Sequence, residues 1–93
     1  AKSPGDPFPR YGLAMELKAQ GRLADAAVAF DELLAAFPEY VPAYLMAGQV
    51  RHALGEIAET TSLYRAGIAV AEKKGDRHSA SELAAALDAM AAS

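Results

Sequence analysis

Slid against itself by 34 residues, the chain matches at a coherent set of positions. Leu13–Ala14 falls on Ala47–Gly48, Gly21 on Gly55, and Leu23 on Ile57. Phe30 falls on Tyr64, Leu34 on Ile68, and Ala35–Ala36 on Ala69–Val70. A fixed period of this length, with a glycine inside each unit, is the signature of helix–turn–helix units stacked into a solenoid. Each match has a physical reason. Small Ala14 and Gly48 let a partner helix approach closely. Gly21 and Gly55 make the turn between antiparallel helices. Phe30 and Tyr64 fill the wedge toward the next unit.

Apolar spacing predicts five helices. The first covers about 7–20, with Leu13, Ala14 and Leu17 on one stripe. Asp6 is placed to accept a free backbone N–H, and Pro7 suits a first helical position. The second covers about 23–37, with Leu23, Ala26, Ala27, Phe30, Leu33 and Leu34 on its apolar face; Pro38 cannot continue it. The third covers about 41–54, with Pro42 in its first turn and Gly55 after it. The fourth covers about 57–74 and carries Ile57, Leu63, Tyr64, Ile68 and Val70. Lys73 and Lys74 complement its C-terminal dipole, and Gly75 closes it. The fifth covers about 78–91, with Ala80, Leu83, Ala84, Leu87 and Met90 on one stripe and Ser79 and Glu82 at capping-box spacing. Residues 1–9 hold three prolines and a glycine and read as an irregular lead-in. No apolar–polar alternation competes as a strand.

Composition supports helices and narrows the function. Ala supplies about a quarter of the chain, and Ala is the strongest helix former because it loses no side-chain entropy. At 93 residues the chain is one domain's worth, 1–93, with a modest core. The net charge of -3 argues against nucleic acid, whose binding rests on Lys and Arg neutralising phosphates. It argues equally against an anionic membrane surface. No apolar run is long enough to span a bilayer, and no basic start followed by an apolar stretch suggests a secretory signal. With no Cys there is no disulfide, thiolate nucleophile or Cys-based metal site. A cytoplasmic protein is the expectation.

The same residues resemble a known family. The segment from about Pro7 to Pro38 is similar to the tetratricopeptide repeat, with Leu13, Ala14, Gly21, Ala26, Phe30 and Pro38 at the family's positions. A second repeat, about Val41 to Lys74, keeps Tyr44, Gly48, Gly55 and Tyr64. Some positions depart from the pattern. Arg10 stands at an aromatic position, Leu17 and Arg51 stand where Tyr is common, Thr60 replaces a small Ala, and Glu72 replaces the closing Pro. The resemblance implies an all-α, right-handed solenoid of antiparallel hairpins: two repeats and a C-terminal capping helix.

No catalytic constellation is present. His52 and His78 are the only imidazoles, and they read as solvated or groove-lining rather than as metal ligands, so no metal and no cofactor is expected. Ser79 is accounted for by capping, and no glycine run forms a phosphate loop. The resemblance implies instead a partner-binding concave face lined by the first helix of each hairpin. That face comprises Phe8, Tyr11, Met15 and Lys18 in repeat one, and Leu45, Met46, Gln49 and His52 in repeat two. Flexible Met suits an adaptable surface; equally, Met15, Leu45 and Met46 can be core. Some family members grip a C-terminal carboxylate with Lys and Asn here, but Tyr11, Met15 and Met46 occupy those positions, so that clamp is not expected. Arg51 either spreads its stem over apolar surface and pairs with Glu56, Glu59 or Glu82, or binds an acidic partner. The expected function is binding of a protein or peptide segment in the concave groove, with structural self-association as a homodimer the alternative.

Overall fold

The computed structural model describes residues 5–92, and the first four residues of the lead-in lie outside them. Five helices follow in order: α1 (Phe8–Ala19), α2 (Leu23–Ala36), α3 (Val41–Ala53), α4 (Ile57–Lys74) and α5 (Arg77–Ala92). There is no strand among the described residues. Each helix packs on the next, while α1 with α3 and α3 with α5 touch more lightly. The Cα envelope, 45 × 32 × 18 Å, is two helices deep. Among the described residues, no helix is long and apolar enough to cross a membrane.

The turns follow from the glycines. Gly21, Gly55 and Gly75 take φ values of 76°, 79° and 74°, open to them because they lack a Cβ. The amide after each glycine donates back across the helix end: Arg22 to Leu17 O at 3.0 Å, Glu56 to Arg51 O at 2.9 Å, Asp76 to Ala71 O at 2.8 Å. These bonds satisfy carbonyls that a helix end leaves orphaned. The Asp6 carboxylate accepts the Phe8 amide at 3.0 Å, as the start of α1 requires.

Two apolar clusters stack along the solenoid. Ala14, Ala26, Ala27, Phe30, Leu33, Ala43, Ala47 and Val50 form the first, and Val41, Tyr44, Tyr64, Ala71 and Leu83 the second. Phe30 is fully buried and Tyr64 nearly so, in the two repeat-related sites. Gly48 matters here: a Cβ built on it would fall 2.7 Å from Tyr64 Cδ1. The departures from the repeat pattern have local remedies. Buried Thr60 donates its hydroxyl to Glu56 O at 2.8 Å, so no polar group is stranded. Glu72 in place of a proline lets α4 run to 18 residues against 14 in α2.

Two expectations are corrected. Leu13 is 59 % exposed rather than part of a buried stripe. Its repeat mate Ala47 is buried in the first cluster, but α1 has no described helix before it to pack against Leu13. The start of α5 is capped by Asp76, whose Oδ1 accepts the Ser79 amide at 3.1 Å. Hydrogen bonds from the Ser79 side chain and backbone hold the Asp76 carboxyl below its usual range, helped by His78 and Lys74. Ser79 is therefore inside the helix rather than its cap, and Glu82 is not a capping partner. Of the partners expected for Arg51, Glu56 is the one taken, at 2.6 Å, and Asp31, which spacing did not suggest, is a second at 2.5 Å.

Gly67 was not singled out by the sequence. A Cβ there would meet Tyr44 Cβ at 2.6 Å and Leu83 Cδ1 at 2.9 Å. Tyr44 Cβ cannot move without its backbone, so Gly67→Ala should lower the melting temperature although Ala favours a helix by about 1 kcal/mol. Exposed Gly12 has nothing within 4 Å of an added Cβ, so Gly12→Ala should raise it. Thermal melts of the pair, read by circular dichroism, should move in opposite directions.

Candidate functional site

Helices α1, α3 and α5 stand side by side on one face, held apart by α2 and α4, and their light contacts leave clefts between them. One of them, formed by all three helices, holds about 260 Å³. Tyr11 comes from α1, and Val41, Pro42, Leu45 and Met46 from α3. Ser79, Glu82 and Leu83 come from α5. The wall is mostly apolar, with a phenol, a serine and one carboxylate as its polar groups.

The α3 and α5 sides of this cleft are related by 37 residues, not 34: Pro42, Leu45 and Met46 correspond to Ser79, Glu82 and Leu83. The longer α4 delays α5 by most of a turn, and α5 then occupies the place of the first helix of a third hairpin. Glu82 consequently stands where α3 offers Leu45.

Of the eight residues expected on this face, the cleft brings together Tyr11, Leu45 and Met46. Leu45 and Met46 are half-buried, each resting on a core cluster with part of its side chain left open. Met15 is half-buried against the first cluster and does not line the cleft, and Lys18 is half-buried beside it on α1. Phe8 is 68 % exposed at the start of α1 and does not line the cleft. Gln49 is exposed on α3. His52 lines a separate depression with Tyr64, Ala86, Ala89 and Met90. The sequence reading missed Val41, Pro42, Ser79, Glu82 and Leu83. Treating α5 as another first helix would have pointed to the last three.

Tyr11 has two duties. Its ring packs edge-on against Phe30 and Tyr40, with centroid separations of 6.3 and 5.3 Å. Burial, then Tyr40, raises its pKa above the ordinary tyrosine value, so at neutral pH the hydroxyl keeps its proton and can donate. Glu82 is the cleft's one carboxylate. His78 Nε2 lies 4.0 Å from Glu82 Oε1, beyond hydrogen-bond range.

On the opposite side, a shallow depression is lined by Asp31, Arg51, Ala58, Glu59, Ser62 and Leu63. Its cation is already engaged. The hydrogen bond to Glu56, chiefly, and the nearby Asp31 raise the Arg51 pKa. Arg51 thus joins α2, α3 and the start of α4 structurally, which removes the support for an acidic partner there. Among the described residues, no group of three His, Cys, Asp or Glu side chains gathers as a metal would require.

Neither a family model nor a curated protein matches the chain. Solved structures do. The solution NMR structure of a tetratricopeptide repeat domain protein from Salinibacter ruber is 34% identical, with a TM-score of 0.84 over 92% of this chain and 87% of that one. A crystal structure of a tetratricopeptide repeat domain protein from Salinibacter ruber, also 34% identical, gives a TM-score of 0.82 over 88% and 91%. Identity at this level over nearly the full length of both chains, together with the 34-residue period and the paired hairpins, shows that this chain belongs to the tetratricopeptide repeat family.

Proposed function

We propose that this protein is a non-catalytic binding module that holds a segment of another polypeptide in the cleft between α1, α3 and α5. The family's fold is that of a protein–protein interaction module in general, and the cleft supplies the particular site. The observation that carries the reading is the placement of Leu45 and Met46, half-exposed side chains gathered with Tyr11 around one concavity. Apolar burial against them supplies affinity. The Tyr11 hydroxyl and Glu82 carboxylate in its lining supply orientation.

Because Tyr11 supports Phe30 and Tyr40, its truncation would injure the core, so the test leaves it in place. Leu45→Lys puts a charge into the cleft on a stem long enough to reach solvent. Peptides selected from a random library should bind the wild type and shift the amide resonances of Tyr11, Leu45, Met46 and Leu83. Leu45→Lys should weaken them by about tenfold or more, roughly 1.4 kcal/mol, with the thermal melt retained. Shifts confined to α2 and α4, or undiminished binding by a folded variant, would place the site elsewhere.

A second reading, self-association, draws on Phe8, Leu13 and Val28, large apolar side chains of the first hairpin that are 68, 59 and 56 % exposed. Sedimentation equilibrium decides it: a monomer at all concentrations removes this reading.

A further inference from the structure

The cleft has a charge sign. It contains a carboxylate and no cation, and the feature that accounts for this is the register of α5. Had the 34-residue period continued unbroken, Ser79 would occupy the position of Tyr11 and Leu45, and Glu82 that of small, buried Ala14 and Gly48. The extended α4 instead brings Glu82 to the cleft wall beside Leu83. Asp76 caps α5, so Glu82 has no capping duty. Its side chain is about half exposed, and its nearest basic group, the His78 imidazole, stands at 4.0 Å on an 88 % exposed side chain. The carboxylate is thus anchored on a helix, in a cleft whose accessible apolar wall is formed by Leu45 and Met46, and its acceptor positions remain open.

Such a site discriminates by charge. A carboxylate entering the cleft would meet Glu82 with no Lys, Arg or His among the lining residues to offset it. A long side chain with a cationic tip meets both parts of the wall: its methylenes cover apolar surface and its head takes the carboxylate. We propose that the polypeptide segment bound in this cleft is a basic one, inserting a Lys or Arg whose stem lies along Leu45 and Met46 and whose charged head pairs with Glu82. The proposal rests on the reading of the cleft as a polypeptide-binding site and adds the chemistry of its occupant. It is the opposite of a carboxylate clamp: the charge is supplied by the module as an anion, and the partner brings the cation.

The test is a random dodecapeptide display selection against the intact wild type, Glu82→Gln, Glu82→Lys and, as a control of equal charge change outside the cleft, Glu32→Gln. Wild type and Glu32→Gln should enrich peptides with a Lys or Arg at one fixed position beside apolar residues. Glu82→Gln should lose that preference, and Glu82→Lys should reverse it toward Asp or Glu. For one selected peptide measured by fluorescence anisotropy, replacing its basic residue by Gln should weaken binding by about threefold to tenfold, as expected of a half-exposed charge-assisted pair. Glu82→Gln should weaken it equally, and the two changes together should cost little more than either alone. Cleft-binding peptides without a basic residue, or a basic preference that survives Glu82→Gln, overturn the basic occupant and leave the polypeptide site standing. A selection that enriches nothing overturns both.

Discussion

Phe30→Ala should destabilise the protein by about 3–5 kcal/mol, the usual loss for a phenylalanine removed from a closed core. Phe30 has no exposed surface, and its neighbours have little freedom to collapse into the space it leaves. Five of the seven other buried members of its cluster, Ala14, Ala26, Ala27, Ala43 and Ala47, are already minimal side chains that no rotamer change can swing into the void. The Tyr11 ring, 6.3 Å away and edge-on, loses one of its two aromatic contacts. Small domains have total stabilities on the order of 5–15 kcal/mol, and a chain with so modest a core sits toward the lower end. Chemical denaturation followed by circular dichroism should show a midpoint reduced by a large fraction, or no folded baseline. An unchanged midpoint would mean that the wedge between the hairpins is not where the stability resides.

Removing residues from Asp76 onward should abolish cooperative melting or cause aggregation. The second core cluster is closed by Leu83, with Ala80, Ala86, Leu87 and Met90 packed at its margin, all on α5. Without them, Tyr44, Tyr64 and Ala71 lose their cover, and Gly67 loses Leu83, one of the two side chains packed against it. A contiguous apolar face of that kind is a strong drive to associate. Sedimentation velocity and a thermal melt of the shortened chain are sufficient measurements. A monomer that melts as the full chain does would show that α5 is dispensable to the fold, and that its side of the cleft is an accessory.

Much of this molecule is legible in its residues. The 34-residue period and the glycines at 21, 55 and 75 place the hairpins, because a left-handed turn residue and a helical apolar stripe are local properties. Burial of Phe30 and Tyr64 follows from the same register. Leu45 and Met46 could be read as core or as groove, and the structure shows why: each lies at the seam, with one side on the core and one open. Three features were decided only by tertiary structure. Leu13 is exposed because burial needs a neighbouring helix, and periodicity specifies a face but not what covers it. Arg51 takes Asp31 as a partner 20 residues away in the chain, a pairing that spacing rules for a single helix cannot reach. The position of Glu82 depends on where α4 ends and on the direction in which the two-residue connector releases α5. A carboxylate reads the same in sequence whether it caps a helix, faces solvent or lines a cleft; it was the packing of α5 against α4, through Gly67 and Leu83, that turned this one toward the cleft.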